Sequence, residues 1–126
     1  MTDQNQTASD DNENTGEARR TARIRELNDR FRTLQGGKGQ ILVTQGVQAL
    51  GDAAMAVIFH KVRTFDDFSE DNDPYGEHDF GSFKQADKTI YWKIDYYGLT
   101  LDVGSENPAD ETVTTRVMTI LLASEW

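Results

Sequence analysis

The chain has 126 residues, no cysteine and a formal net charge of −9 at pH 7. A chain of this length suits one domain, which can bury enough surface to be stable without disulfides or a structural metal. The lack of cysteine excludes a thiol nucleophile and a cysteine-type zinc site. The acidic charge balance argues against general binding to nucleic acid or to an anionic membrane surface.

Residues 1–16 are polar and acidic, with almost no side chain that could be buried. Ordering such a segment would cost conformational entropy without burial in return, so we predict a disordered tail over 1–16 and a single domain over 17–126. We expect no secretory signal, because the first residues contain neither an apolar run nor a basic residue. No stretch approaches the roughly 20 apolar residues of a membrane span. We therefore expect a cytoplasmic protein without membrane contact.

The segment after the tail predicts an amphipathic helix. Its apolar residues recur three or four positions apart and so share one helical face: Ile24, Leu27, Phe31 and Leu34. Gly36 and Gly37 favour the end of that helix. The apolar run over residues 41–43 then predicts a short buried strand.

A second helix is predicted to begin near Asp52, which would act as its N-cap. The residues that would share one face of this helix are Ala54, Val57, Ile58, Lys61, Val62 and Phe65. Only Lys61 breaks the apolar stripe, and its methylene stem can lie along apolar surface.

Residues 80–103 predict three antiparallel strands in a meander. Segments 80–84 and 89–97 are separated by a polar connection of hairpin length. In the second segment, apolar and polar residues alternate, which is typical of a strand with one dry face. The residues expected to be buried on that face are Ile90, Trp92, Ile94, Leu101 and Val103, the last two from a third strand that also contains Leu99.

A last helix is predicted from Asn107 as N-cap, with Pro108 at its first position. Its apolar stripe would be Val113, Val117, Ile120 and Leu121. Together these elements predict an α+β fold. The predicted architecture is a single two-layer domain, in which a three-stranded antiparallel meander and a short extra strand pack with about three helices.

Residues 65–81 form the most unusual stretch, because they mix carboxylates, His78, aromatic rings and turn formers. A calcium loop fails by register, since Tyr75 would stand where an oxygen side chain is expected and Ser82 where the bidentate Glu is required. An irregular Mg²⁺ or Mn²⁺ site stays open, as does a hydrated loop whose polar side chains cap turns. The third reading is a surface that binds a protein partner, and its candidate residues are Asp66, Asp67, Glu70, Asp71, Asp73, Tyr75, Glu77, His78 and Asp79.

We assign no catalytic residue, metal ligand or cofactor from the sequence. Glu77, His78 and Asp79 could supply a general base with a carboxylate partner, but neighbours in an extended segment point to opposite faces. Tyr91 and Tyr97 could stack on RNA bases, but the predicted strand lacks the basic surround that phosphates need. Arginines do outnumber acids between residues 17 and 32, so the net charge could hide a local basic contact.

Residues 72–81 (NDPYGEHDFG) and 92–97 (WKIDYY) are the most specific motifs in the chain. Four shorter stretches accompany them, over residues 23–29, 62–68, 104–105 and 115–117. This pattern resembles a family of small bacterial proteins catalogued as a domain of unknown function, chiefly in alphaproteobacteria and often on plasmids or integrated elements. The likeness covers roughly residues 23–126, and it implies a genomic setting rather than an activity.

Charge and resemblance together lead us to expect a nonenzymatic acidic accessory protein of mobile genetic elements that binds a protein partner. A nucleic-acid-binding host factor is one candidate partner, because clustered carboxylates can mimic phosphates and occlude a basic groove. The alternative function is a metal-dependent hydrolase or nuclease that uses the acidic loop over residues 66–79.

Overall fold

In the computed structural model, the backbone is described for residues 2–126 and the side chains for residues 15–126. The predicted disordered tail, residues 1–16, lies almost entirely outside the residues with described side chains. In chain order the elements are α1 (Thr2–Arg32), β1 (Gly39–Val43), α2 (Gln45–Gln48), α3 (Asp52–Arg63), β2 (Phe80–Gln85), β3 (Lys88–Tyr97), β4 (Thr115–Leu122) and a short 3₁₀ helix (Ala123–Glu125). No helix in this described part of the chain is long and apolar enough to cross a membrane.

The strands form one four-stranded mixed sheet in the order β1-β4-β3-β2. β1 runs parallel to β4, and the pairs β4-β3 and β3-β2 are antiparallel. The fold is therefore α+β, as predicted. The prediction of a meander was wrong in detail, because the partner of β3 on the side away from β2 comes from the end of the chain.

The predicted last helix does not form, and β4 occupies the second half of its sequence. Asn107 does cap a turn, since its Oδ1 accepts a hydrogen bond from the N–H of Ala109 at 3.2 Å. The chain turns again over residues 111–113 and becomes extended at Thr115, after a run rich in β-branched residues, which lose side-chain freedom in a helix and fit a strand. β4 pairs with β3 over its whole length and with β1, so its backbone groups are satisfied on both sides.

The predicted third strand of the meander is also absent. Residues 99–103 form turns and bends, and a single bridge between Tyr97 and Gly104 joins this segment to β3. Leu99 is 55% exposed and Val103 66% exposed, while Leu101 is also exposed. The expected burial of Leu101 and Val103 was therefore wrong, because β4 takes the position beside β3 that this segment would have needed.

Several boundaries also differ from the prediction. α1 ends at Arg32, and Leu34 beyond it has a positive φ of 64° and is exposed. α3 contains Asp52 as its first residue and has Gly51 as its N-cap. β1 is an edge strand, so Ile41 and Leu42 are exposed rather than buried.

The hydrophobic core lies between the helices and one face of the sheet. Its buried members are Phe31, Val47, Ile58, Val62, Ile90, Trp92, Ile94, Met118 and Ile120. The predicted burial of Ile90, Trp92 and Ile94 is thus confirmed. Gly81 on β2 lies directly over the indole, where any β-carbon would overlap Nε1 of Trp92.

Candidate functional site

The loop between α3 and β2, residues 64–79, carries all the predicted partner-binding residues and lies against α1. The structure divides them into two sets. The exposed set, here called the outer residues, is Asp66, Asp67, Glu70, Asp71 and Tyr75. The buried or half-buried set, here called the inner residues, is Asp73, Glu77, His78 and Asp79.

His78 joins the loop to α1. Its Nδ1 lies 2.9 Å from Oδ1 of Asp29, and its Nε2 lies 3.7 Å from Oδ2 of Asp73. The imidazole is stacked on the ring of Phe68, with centroids 3.6 Å apart and planes within 6°. Its backbone has a positive φ of 54°, which is uncommon outside glycine. The carboxylates beside His78 therefore come from α1 and from five residues earlier in the loop, not from its chain neighbours.

Asp73 closes the loop upon itself. Its Oδ1 accepts a hydrogen bond from the backbone N–H of His78 at 3.2 Å, and its own N–H donates to the carbonyl of Ser69 at 2.7 Å. Asn72 contributes a second closure, because its Oδ1 accepts from the N–H of Ser69 at 2.7 Å. Side chains of this kind that satisfy backbone donors hold a turn in one conformation.

Glu77 belongs to a second network, centred on Asn28 of α1, which is fully buried. Asn28 donates through Nδ2 to the carbonyl of Glu77 at 2.9 Å and to the hydroxyl of Tyr96 at 2.8 Å. The Tyr96 hydroxyl donates in turn to Oε1 of Glu77 at 2.7 Å. On the other side, Nε of Arg116 donates to Oδ1 of Asn28 at 2.7 Å. The network thus connects α1, the loop, β3 and β4.

Burial shifts the pKa values of the titratable groups in and beside this network. It raises the pKa of the Tyr96 hydroxyl well above its usual value and lowers that of the Arg116 guanidinium. Burial also raises the pKa of Asp79, with the nearby Glu77 carboxylate as the second cause. Tyr96 therefore stays a neutral donor, which is the state that its hydrogen bond to Glu77 requires.

A family model matches residues 43–125 of the chain, and its description is "Protein of unknown function (DUF3768)". The chain belongs to the DUF3768 family. The expected membership of a family of unknown function is therefore confirmed. No match was found among curated proteins or among solved structures. The matched region begins at the end of β1, so it contains the whole loop and the sheet hairpin, while α1 precedes it.

In this DUF3768 protein, the side chains of the acidic loop do not form a metal-binding cluster. Over residues 15–126, no three His, Asp or Glu side chains lie together as ligands for one ion. The inner carboxylates are directed to different partners, with Asp73 at His78 and Glu77 at Tyr96. The inner residues thus hold the loop against α1 and β3, and the outer carboxylates are exposed to solvent.

Four residues that anchor the DUF3768 loop were not predicted from the sequence: Asn28, Asp29, Arg32 and Arg116. Asn28 and Arg32 lie four positions apart, on the flank of the apolar stripe that contains Phe31. That spacing was a usable signal, because it gives two polar residues the same helical face beside the core. Arg116 lies in β4, where the sequence predicted a helix. As a strand residue it pairs with Tyr96 of β3, and a helical pattern does not indicate that contact.

Proposed function

We propose that the protein is a nonenzymatic accessory protein of mobile genetic elements, and that it binds a protein partner through the outer residues of the loop. The observation that carries this proposal is the state of four carboxylates, Asp66, Asp67, Glu70 and Asp71. All are exposed, and none forms an ion pair with another residue in the described part of the chain. Their charge is therefore available to a partner.

The anchoring of the loop also supports binding. Phe65 and Phe68 pack edge-on against each other, and both contact the ring of Trp92, with centroids 5.5 and 6.2 Å away. His78 fixes the end of the loop to Asp29 of α1, and Asp73 holds the backbone of His78 within the loop. A surface held in its bound conformation loses less conformational entropy on association, which favours affinity.

The chemistry of the surface favours a basic partner. Several carboxylates close together in the chain present repeated negative charge, as a row of phosphates does, so a nucleic-acid-binding groove on a host protein is the partner class that fits. Tyr75, at 78% exposure, adds an aromatic ring on the same loop. Tyrosine is a frequent source of binding energy at protein interfaces.

The test uses a loop variant that combines Asp66→Asn, Asp67→Asn, Glu70→Gln and Asp71→Asn. Its control variant loses the same charge from exposed positions elsewhere: Asp52→Asn, Asp87→Asn, Asp102→Asn and Glu106→Gln. A partner is first captured from a natural host with the wild-type protein, and then purified. At low salt we expect the loop variant to associate about tenfold or more slowly than the wild type and the control, because exposed charges steer encounter.

The difference should shrink as salt is raised, since the Debye length falls to about 8 Å at physiological ionic strength. The proposal fails if the loop variant associates as fast as the wild type at low salt. It also fails if Mg²⁺ or Mn²⁺ stabilises the wild type saturably and leaves the loop variant unaffected, because that result supports the metal-dependent alternative.

A further inference from the structure

A basic groove lies where the end of α1 meets the end of α3, and it has a volume of about 480 Å³. Four arginines line it, namely Arg25, Arg30, Arg32 and Arg63. We propose that this groove binds a small phosphate-containing anion, and that Arg30 and Arg63 are the residues that contact the phosphate. None of the outer residues of the loop lines this groove.

The two carboxylates in the groove wall are already neutralised. Oε1 of Glu26 lies 3.1 Å from a guanidinium nitrogen of Arg23, one helical turn earlier. Oδ1 of Asp29 lies 3.1 Å from the guanidinium of Arg32 and 2.9 Å from Nδ1 of His78. Neither acid therefore offers a counter-charge to the other arginines of the groove.

Carbonyl groups at the ends of the two helices would also repel an anion, because the C-terminal end of a helix carries partial negative charge. At α3 this charge is offset by the buried Arg32, whose NH1 donates to the carbonyls of Val62 and Arg63 at 2.8 and 3.3 Å. At α1, the N–H of Gln35 donates to the carbonyl of Arg30 at 2.7 Å, and the hydroxyl of Thr33 donates to the carbonyl of Asp29 at 2.6 Å.

Two of the four groove arginines, Arg30 and Arg63, are then left without any side-chain partner in the described part of the chain. Neither Arg30 nor Arg63 has an ion pair or a side-chain hydrogen bond among the residues whose side chains are described. Arg30 is half-buried, with its guanidinium beside Gly36, where a β-carbon would be 3.4 Å from NH2. The protein has a net charge of −9, so arginines without acidic partners at one groove are unexpected from composition.

The geometry of the donors favours phosphate. A guanidinium presents a planar fork that binds two oxygens of a phosphate at once, with stronger hydrogen bonds than neutral donors make. The groove is open to solvent and, at about 480 Å³, has room for a small anion. A small phosphate anion fits better than a nucleic acid, because the acidic charge of the whole molecule repels an extended polyanion.

The experiment measures binding of pyrophosphate to the full chain by titration calorimetry at low ionic strength. We expect saturable binding of one pyrophosphate per chain. Arg30→Gln and Arg63→Gln should each weaken it about tenfold or more, which corresponds to losing one charge-assisted hydrogen bond. The control variants are Arg19→Gln and Arg20→Gln, which remove the same charge from exposed positions of α1 outside the groove and should leave binding unchanged.

Arg63→Lys separates the fork geometry from charge, because lysine keeps the charge and loses the planar fork; we expect an intermediate affinity. Thermal unfolding of each variant without ligand shows whether the fold is retained. The absence of saturable binding would overturn the proposal. Equal losses in the groove and control variants would do the same, as would affinity for single-stranded oligonucleotides that increases with length and exceeds that for pyrophosphate.

Discussion

The outer and inner carboxylates of the loop are separated by only a few residues, yet they are engaged very differently. Asp66, Asp67, Glu70 and Asp71 are exposed and have no ion-pair partner in the described part of the chain. Asp73 accepts a hydrogen bond from the backbone N–H of His78 within the loop, and Glu77 accepts one from Tyr96 of β3, which fastens the loop to the sheet. All of these residues are carboxylates of the same loop, and the two sets differ in how deeply they are buried. The loop therefore combines an anchor with a display surface.

The anchor rests on Trp92, so the largest expected effect comes from removing this side chain. Trp92 is fully buried and contacts Phe65 and Phe68 of the loop as well as the guanidinium of Arg32. We expect Trp92→Ala to lower the free energy of unfolding by about 3–5 kcal/mol, measured by denaturant titration. A loss below about 1 kcal/mol would mean that the loop is not supported from beneath in this way.

The buried network should give the next largest effect. Asn28→Ala removes the acceptor for Nε of Arg116 and the donor to the carbonyl of Glu77. Buried polar groups left without partners cost about 1–3 kcal/mol, and the charged Arg116 places the expected loss at the upper end. Denaturant titration measures the loss. A stability equal to that of the wild type would show that water or a rearranged side chain replaces Asn28.

Local patterns predicted the β2-β3 hairpin and the inward face of β3, because Ile90, Trp92 and Ile94 alternate with polar residues within one short segment. β4 was missed for a physical reason. Val113, Val117, Ile120 and Leu121 also fit a helical stripe, and Asn107 with Pro108 gave a real turn that resembled a helix start. The segment becomes a strand because it pairs with β1 and β3, and those partners lie far away in sequence.

The candidate site was predictable only in its outer half. Exposed acids and Tyr75 in a loop follow from composition and turn residues. The anchor could not be read in the same way, since Asp29 lies 49 residues from His78 and Asn28 lies 68 residues from Tyr96. A single sequence gives no measure of such distant contacts, although the residues involved fall in stretches that carried the family resemblance.

Asp79 differs from the other inner carboxylates, because burial disfavours its charged form. Burial raises its pKa in the folded protein above the ordinary value of 3.8, so the folded state binds this proton more tightly than the unfolded chain does. The contribution of Asp79 to the unfolding free energy of the wild type therefore falls as the pH rises from about 4 through the pKa of the folded state. We expect Asp79→Asn to be more stable than the wild type at pH 7.

The measurement is the difference in unfolding free energy between Asp79→Asn and the wild type across this pH range. The difference should be largest at neutral pH and should vanish when the wild-type carboxyl is protonated in both states. If the variant is instead less stable than the wild type at pH 7, the charged carboxylate makes a favourable contact. In that case Asp79 would belong with the anchoring groups.

The smallest effect is expected from the outer carboxylates, and it completes the comparison. The loop variant, in which Asp66, Asp67, Glu70 and Asp71 become neutral, removes charges that have no partner in the described structure. Exposed charges without partners contribute little, so the unfolding free energy should change by no more than about 0.5 kcal/mol. A modest gain is the expected sign, because four fewer negative charges reduce repulsion in an acidic chain. A loss comparable to that of Asn28→Ala would show that these carboxylates also hold the fold, and the outer set would no longer be a surface reserved for a partner.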